Sequence, residues 1–229
     1  MLVRMWMSKS PISVTPKTTL TQAAKLMRDK RIRRLPVLSD SKGQQLVGII
    51  SKHDILHAYP SNSNPFAAIP STDVVSRHVE SHMSRAVISV TPNTPLEEAA
   101  EKLLIHRIGA VPVLLNRQLV GIITESDIFR AFGMLMGVNS NALRITLDLS
   151  TEPYAMQRVL EMTNPEYLLL MSIFYYREDS KSVGVLRWRG PHPEDFIDEL
   201  YESGLKIVSI HQGLTPLKRK RMRMKKKQR

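Results

Sequence analysis

Two short phrases decide the fold: Gly48-Ile49-Ile50-Ser51-Lys52-His53-Asp54 and Gly121-Ile122-Ile123-Thr124-Glu125-Ser126-Asp127. Each closes a longer unit. The first unit carries MSKSPISVTPKTTL from Met7 and the second MSRAVISVTPNTPL from Met83. Both continue through an alanine pair, an Arg-Ile dipeptide and a Pro-Val-Leu run at Pro36 and Pro112. An offset of about 76 residues, seen only twice, is longer than a solenoid repeat and reads as a tandem pair of small domains. Two copies of one fold ordinarily pack about a pseudo-twofold axis, which would place a binding cleft between them in duplicate.

Within each unit the pattern predicts a short strand (Ile12 to Val14, Ile88 to Val90) entering a Thr-Pro turn. A helix follows, with Thr19 or Thr21 as cap in the first copy and Thr94 in the second, and Pro95 near its first position. Its apolar residues keep helical spacing: Leu20, Ala23, Ala24, Met27 and Leu96, Ala99, Ala100, Leu103. Two strands then meet across a turn, long at Ser39 to Gly43 and short at Asn116-Arg117, and a closing helix starts near Ser51 or Thr124. Each unit is thus a β-α-β-β-α module. The predicted divisions are a first domain over 3–58, a linker over 59–80 rich in Pro, Ser and Asn, and a second domain over 81–135. Residues 142–213 follow in the order β-α-β-β-α-β, the split βαβ arrangement of ferredoxin-like folds, with Gly204 capping the last helix. The fold class expected is α+β.

Composition narrows the function. Of 229 residues, 42% are hydrophobic and 24% charged, as in globular domains. Cysteine is absent, which excludes disulfides, thiolate metal sites and cysteine nucleophiles and fits a reducing compartment. Met1 to Met7 lack the pattern of a signal peptide, and the longest apolar stretch, Leu168 to Tyr176, is too short to span a bilayer. A cytoplasmic, non-transmembrane protein is expected. Nine Lys or Arg lie between Lys218 and Arg229, which leaves +3 of the +12 net charge to the other 217 residues. The body is near neutral, and residues 214–229 form a basic tail expected to be disordered.

A Ser or Thr three residues before an Asp, at a strand-to-helix junction, has two readings. It caps the helix, or it recognises a nucleotide: the carboxylate accepts the ribose hydroxyls while the hydroxyl and helix N-terminus meet phosphate. Recurrence at the matching position of both repeats favours the second. His78 and His82, four apart with Glu80 between them, could share a helix face for a metal, but with no third ligand in view they read as linker, and no metal is required. No nucleophile–base–acid set is recognisable, so the chain is not expected to be an enzyme.

With Thr-Pro-x-Thr, the Pro-Val strand and Gly-Ile-Ile-x-x-x-Asp in both copies, residues 3 to 133 resemble a pair of CBS (cystathionine β-synthase) domains forming a Bateman module. Residues 142 to 213 resemble an ACT domain by element order alone, and the combination resembles regulatory proteins of the AcuB acetoin-utilisation type. The resemblance implies an adenosine ligand in a cleft between the repeats. Asp54 and Asp127 would hold ribose hydroxyls, with Ser51 and Thr124 beside ribose or phosphate and His53 in the same turn. Thr18 and Thr94 match the family's threonine in the partner repeat. Backbone around Ile32-Arg33 and Ile108-Gly109-Ala110 would line the adenine pocket. Where repeat 1 has Arg33-Arg34, repeat 2 has Gly109-Ala110, so the clefts should be unequal. Guanidinium groups facing the cleft would favour AMP, ADP or ATP over the cationic S-adenosylmethionine. The expectation is a non-catalytic sensor: a homodimer that passes the signal through the ACT-like domain to a downstream protein. The rival is a protein that binds nucleic acid, or an anionic surface, through its basic tail, with the repeats serving only for dimerisation.

Overall fold

The computed structural model describes residues 1–39, 45–59, 64–66, 77–137, 142–150, 154–163, 169–190, 193–212 and 215–216. The chain divides into two compact units, Met1–Ala131 and Phe132–Arg229.

The first repeat contains β1 (Ser8–Lys9), α1 (Leu20–Asp29), β2 (Arg34–Leu38), β3 (Leu46–Ser51) and α2 (Lys52–Ala58). The second contains α3 (Leu96–Ile105), β4 (Ala110–Leu115), β5 (Gln118–Thr124) and α4 (Glu125–Leu135). Thr19 opens α1 with a reciprocal cap: its hydroxyl accepts the Gln22 N–H while the Gln22 side chain accepts the Thr19 N–H. The apolar stripe Leu20, Ala23, Ala24 and Met27 is buried, worth about 1.5–3 kcal/mol for each large side chain. In α3 the cap differs from expectation. Pro95 occupies the N-cap position and offers no side-chain acceptor. Thr94 instead accepts the Thr91 N–H at 3.0 Å, as Thr18 accepts that of Thr15 at 3.1 Å.

The strands expected at Ile12–Val14 and Ile88–Val90 are reduced to single parallel bridges, Val14 to Val37 and Val90 to Val113. Pro16 and Pro92 follow two residues later and have no N–H with which to extend a ladder. The hairpin between β4 and β5 turns on Asn116 and Arg117, both at positive φ, the conformation that matches the twist of a tight two-residue hairpin. Most of the longer turn of repeat 1, from residue 40 to 44, lies outside the described residues, as do residues 60–63 and 67–76 of the expected linker.

The repeats exchange their leading segments. Residues at the start of the chain belong to the second core: Val3 is buried with Leu96, Val111 and Ile123, and Trp6 and Met7 pack against that cluster. The Val3 N–H bonds to the Thr94 carbonyl, and β1 pairs with β5 at Ile122 and Gly121. Reciprocally, Val79 and Met83 sit in the first core with Leu20 and Ile50, the Val79 N–H bonds to the Thr18 carbonyl, and Ser84 bridges Ile49. This accounts for the glycine of Gly-Ile-Ile. A Cβ on Gly48 would lie 2.6 Å from Met83 Sδ, and one on Gly121 would lie 2.6 Å from Met7 Sδ. His78 and His82 flank a single 3-10 turn, Val79–Ser81. Its three-residue period does not stack positions i and i+4, so the shared helix face does not form. Among the described residues no group of three or more His, Asp or Glu is placed to hold a metal.

The second unit contains β6 (Leu143–Asp148), α5 (Ala155–Met162), β7 (Leu169–Glu178), β8 (Lys181–Arg189), α6 (Pro193–Glu202), β9 (Lys206–Gln212) and β10 (Thr215–Pro216). The antiparallel sheet has the order β10-β9-β6-β8-β7. Leaving aside β10, this is the β-α-β-β-α-β succession with the last strand beside the first. One face carries the core: Ile145, Leu147, Leu186 and Trp188 against Val159 of α5 and Leu200 of α6. The Trp188 Nε1–H donates to Thr163 Oγ1 at 3.2 Å. Tyr175 and Tyr176 are exposed. Gly204 follows α6 at positive φ, as a helix-ending residue requires. The basic tail lies outside the described residues apart from β10, which pairs with β9. No helix among the described residues is long and apolar enough to cross a membrane.

Candidate functional site

The two Gly-Ile-Ile phrases fold alike. Ser51 and Thr124 end strands, and the helices that follow carry Asp54 and Asp127 in their first turns. The Thr124 N–H and hydroxyl both donate to Asp127 Oδ2, at 2.9 and 2.7 Å, and the Asp127 N–H returns to Thr124 Oγ1 at 3.3 Å. Ser51 and Asp54 repeat the pattern at 2.7, 2.7 and 3.2 Å. Capping is therefore real, but it consumes only one carboxylate oxygen. A carboxylate offers about four acceptor positions. Asp54 Oδ1 accepts no hydrogen bond among the described residues. Asp127 Oδ1 accepts Arg130 Nη2 at 2.9 Å, and the Arg130 side chain is 65% exposed. Such an exposed pair is worth little and can yield to a ligand.

Beside Asp127, between the two repeats of the first unit, lies a cavity of about 560 Å³, within the size range of small-molecule sites. Thr124, Asp127 and Gly109 reach it from the second repeat, and Ile32, Arg33 and Arg34 from the first. The exchanged segment from Ser8 to Ile12 completes the wall. Five cationic side chains, Lys9, Arg31, Arg33, Arg34 and Arg130, line it with only two carboxylates, Glu125 and Asp127. That imbalance draws anions.

The difference between repeats has a steric meaning. A Cβ on Gly109 would lie 2.2 Å from Arg34 Nη2 and 2.8 Å from Glu125 Oε2. Glycine in the second repeat thus makes room for the guanidinium of the first. Arg31 holds φ +54, and its counterpart Arg107 holds φ +51, a left-handed conformation uncommon outside glycine. Each ends a helix and turns the chain toward the Pro-Val strand.

Of the residues singled out in the sequence, the cavity brings together Ile32, Arg33, Arg34, Gly109, Thr124 and Asp127. Thr18 and Thr94 do not line it; their hydroxyls close the Thr-Pro turns. Ala110 is buried, and Ile108 packs against the second core. Ser51, His53 and Asp54 also lie off this cavity, at the corresponding turn of the other repeat. His53 Nε2 is 2.9 Å from His57 Nε2 on the exposed side of α2. Sequence reasoning missed Lys9, Arg31 and Arg130. Arg130 stands three residues after Asp127, a helical neighbour spacing, and that signal was available.

Compared with known protein families, the chain matches the CBS domain twice, over residues 3–61 and 77–133. It is 34% identical over 133 residues to the L-aspartate semialdehyde sulfurtransferase of Methanocaldococcus jannaschii, covering 58% of this chain and 23% of that protein. It is 32% identical over 114 residues to the homoserine O-acetyltransferase of Methanohalobium evestigatum, covering 49% of this chain and 20% of that protein. The chain thus spans less than a quarter of either enzyme. Among solved structures, the CBS domain pair of protein MJ0100, in complex with 5′-methylthioadenosine and S-adenosyl-L-methionine, is 32% identical with a TM-score of 0.50. That match covers 58% of this chain and 97% of the other. A Vibrio cholerae protein assigned to acetoin utilization (AcuB) is 31% identical with a TM-score of 0.50, covering 61% of this chain and 95% of the other.

Proposed function

Because this chain belongs to the CBS-domain family, we propose that it is a non-catalytic regulatory protein that binds an adenine nucleotide between its two repeats. The observation that carries this reading is the cavity in which Thr124 and Asp127 of one repeat face Arg33 and Arg34 of the other. Asp127 has one acceptor position left for a ribose hydroxyl, and a second if Arg130 swings to phosphate. The guanidinium groups suit phosphate oxygens bidentately. Asp54, with Oδ1 unengaged, serves the equivalent turn of the other repeat, beside Ser51.

The ligand preference follows from charge. The related pair MJ0100 takes 5′-methylthioadenosine and S-adenosyl-L-methionine. Here five cations against two carboxylates favour AMP, ADP or ATP over a sulfonium. The ligand acts by population shift: it favours one mutual orientation of the repeats to the extent that it binds that orientation more tightly, about 1.4 kcal/mol for a tenfold change. The C-terminal unit, ACT-like in its element order, receives the signal. Exposed apolar side chains on α3 and α4, Leu104 (78%) and Phe129 (75%) among them, support a homodimer.

Calorimetric titration of the purified chain with AMP, ADP, ATP and S-adenosylmethionine tests the reading. Stoichiometric binding of a nucleotide, weakened at least tenfold in Arg34→Gln, is expected. No heat and no thermal stabilisation with any of the four would overturn it.

A further inference from the structure

The C-terminal sheet carries a row of polar side chains on the face away from its helices. Ile145 and Leu147 of β6 and Leu186 and Trp188 of β8 point into the helix-covered core. Alternation therefore turns Arg144 and Arg187 to the other face. Strand pairing then lines up four residues, with Ser172 opposite Arg187, Arg187 opposite Arg144, and Arg144 opposite His211. Residues directly opposite in antiparallel strands share a face. The row crosses β7, β8, β6 and β9 in turn.

Three of the four carry a buried polar atom with no hydrogen-bond partner: Ser172 Oγ, Arg187 Nε and His211 Nδ1. Arg187 is only 8% exposed, while Ser172, Arg144 and His211 are half-buried. Arg144 Nη1 donates to Thr146 Oγ1 at 2.9 Å. Among the described residues no carboxylate pairs with either arginine. Asp148, four residues beyond Arg144 along β6 and on the same face, is held by Lys206 Nζ at 2.6 Å. Burial, with the Arg144 charge beside it, lowers the Arg187 guanidinium below its ordinary value.

This arrangement is costly as it stands. Like charges directly opposite across two strands destabilise the pair, and a buried charge without a counter-ion costs several kcal/mol. Buried polar atoms are satisfied in roughly nine cases of ten, so three orphans in one row point to an absent partner. We propose that the row is a binding site for a small oxyanion, the carboxylate or phosphate group of a metabolite. The Arg187 Nε–H and the Ser172 hydroxyl, opposite each other on neighbouring strands, donate to it, and Arg144, opposite Arg187 on the next strand, supplies the second positive charge. Carboxylate and phosphate both match the guanidinium fork. The site lies wholly within the second unit and does not rest on the nucleotide reading.

The test is a titration of the full-length, ¹⁵N-labelled chain with inorganic phosphate, succinate or chloride, following arginine Nε–H signals by NMR. The Arg187 signal is assigned by its loss in Arg187→Gln. A saturable shift of that signal is expected with phosphate or succinate but not with chloride. It should weaken about tenfold in Arg144→Gln, the loss of one charge-assisted bond, and persist in Arg34→Gln, which removes one of the cations lining the other unit's cavity. Saturation by phosphate alone assigns a phosphorylated ligand, and saturation by succinate alone a carboxylate. An unmoved Arg187 signal, an equal response to chloride, or unchanged affinity in Arg144→Gln overturns the proposal.

Discussion

Asp127 is both a helix cap and the proposed ribose acceptor, and two substitutions separate these roles. Asp127→Ala removes both Thr124 bonds and the Arg130 pair. Loss of a cap costs about 1 kcal/mol, and an ion pair to so exposed an arginine adds at most about 1 kcal/mol. The first unit should lose about 1–2 kcal/mol and still fold. Asp127→Asn keeps a carbonyl oxygen where Oδ2 accepts the Thr124 donors, so the cap survives and stability should change by only a few tenths of a kcal/mol. What Asn loses is Oδ1, replaced by an amide nitrogen that cannot accept a hydroxyl proton. A hydrogen bond to a charged group is worth about 1.5–3 kcal/mol, so nucleotide affinity should fall at least tenfold in both variants. Urea unfolding and calorimetric titration of the same preparations give both quantities. If Asn destabilises the chain as much as Ala while nucleotide affinity stays at the wild-type value, the carboxylate is a cap only.

Val3→Ala removes two carbons from a fully buried site in the second core and should cost about 2 kcal/mol. Hydrogen exchange should report the loss in β4 and β5 and leave α1 protected; deprotection of α1 instead would contradict the exchange of segments. Arg33→Gln and Arg34→Gln should weaken ATP more than AMP and leave S-adenosylmethionine least affected, because only phosphate needs the guanidinium fork; equal losses for all three ligands would place the arginines elsewhere. Bonds from Lys206 and from Ser150 hold the Asp148 carboxyl well below the usual carboxylate range. A depressed carboxyl pKa gives stability that is fully present above the unfolded value, near 4, and lost as pH falls below it. Acid unfolding of the second unit should therefore start below about pH 4 and flatten in Asp148→Asn; an unchanged acid limb in that variant would show the pair to be inconsequential.

The repeat made much of the first unit legible. Helical spacing at Leu20, Ala23, Ala24 and Met27 and the turn residues Asn116-Arg117 are local signals, and each fixed its element. The Thr-Pro turns were legible too, but not the work of their second threonines, because Thr94 looks like a cap until Pro95 takes that position. The exchange of leading segments was not legible. Val3 and Val79 are ordinary apolar residues whose destination depends on which core has room, a tertiary property with no local pattern. Lys9 escaped notice for the same reason, since it reaches the cavity only because its segment crosses to the other repeat. In the C-terminal unit, alternation gave the strands, but the Ser172–Arg187–Arg144–His211 row depends on register between strands far apart in sequence.

The exchange also bears on how a ligand in the cavity could act. Three separate stretches meet there: the crossing segment at Ser8 to Ile12, the turn from Arg31 to Arg34, and the start of α4 at Thr124 to Arg130. The crossing segment is hydrogen-bonded to β5, the strand that delivers Thr124, so a ligand pulling on Arg33 and Arg34 works against a wall anchored to the second repeat. Arg34 in turn rests on Gly109 without a side chain between them, so it can shift where a bulkier residue would block it. Phosphate drawn to Arg34 would therefore move the first repeat's turn relative to the second, whereas adenosine, with no phosphate, would leave the Arg33 and Arg34 guanidinium groups without a grip on the ligand. A ligand that grips both sides has the differential affinity a population shift needs, and one that grips a single side does not. Gly109→Ala, which crowds Arg34 without removing its charge, should on this reasoning reduce the advantage of ATP over adenosine, and an undiminished advantage would show that the Arg34–Gly109 contact has no part in the response.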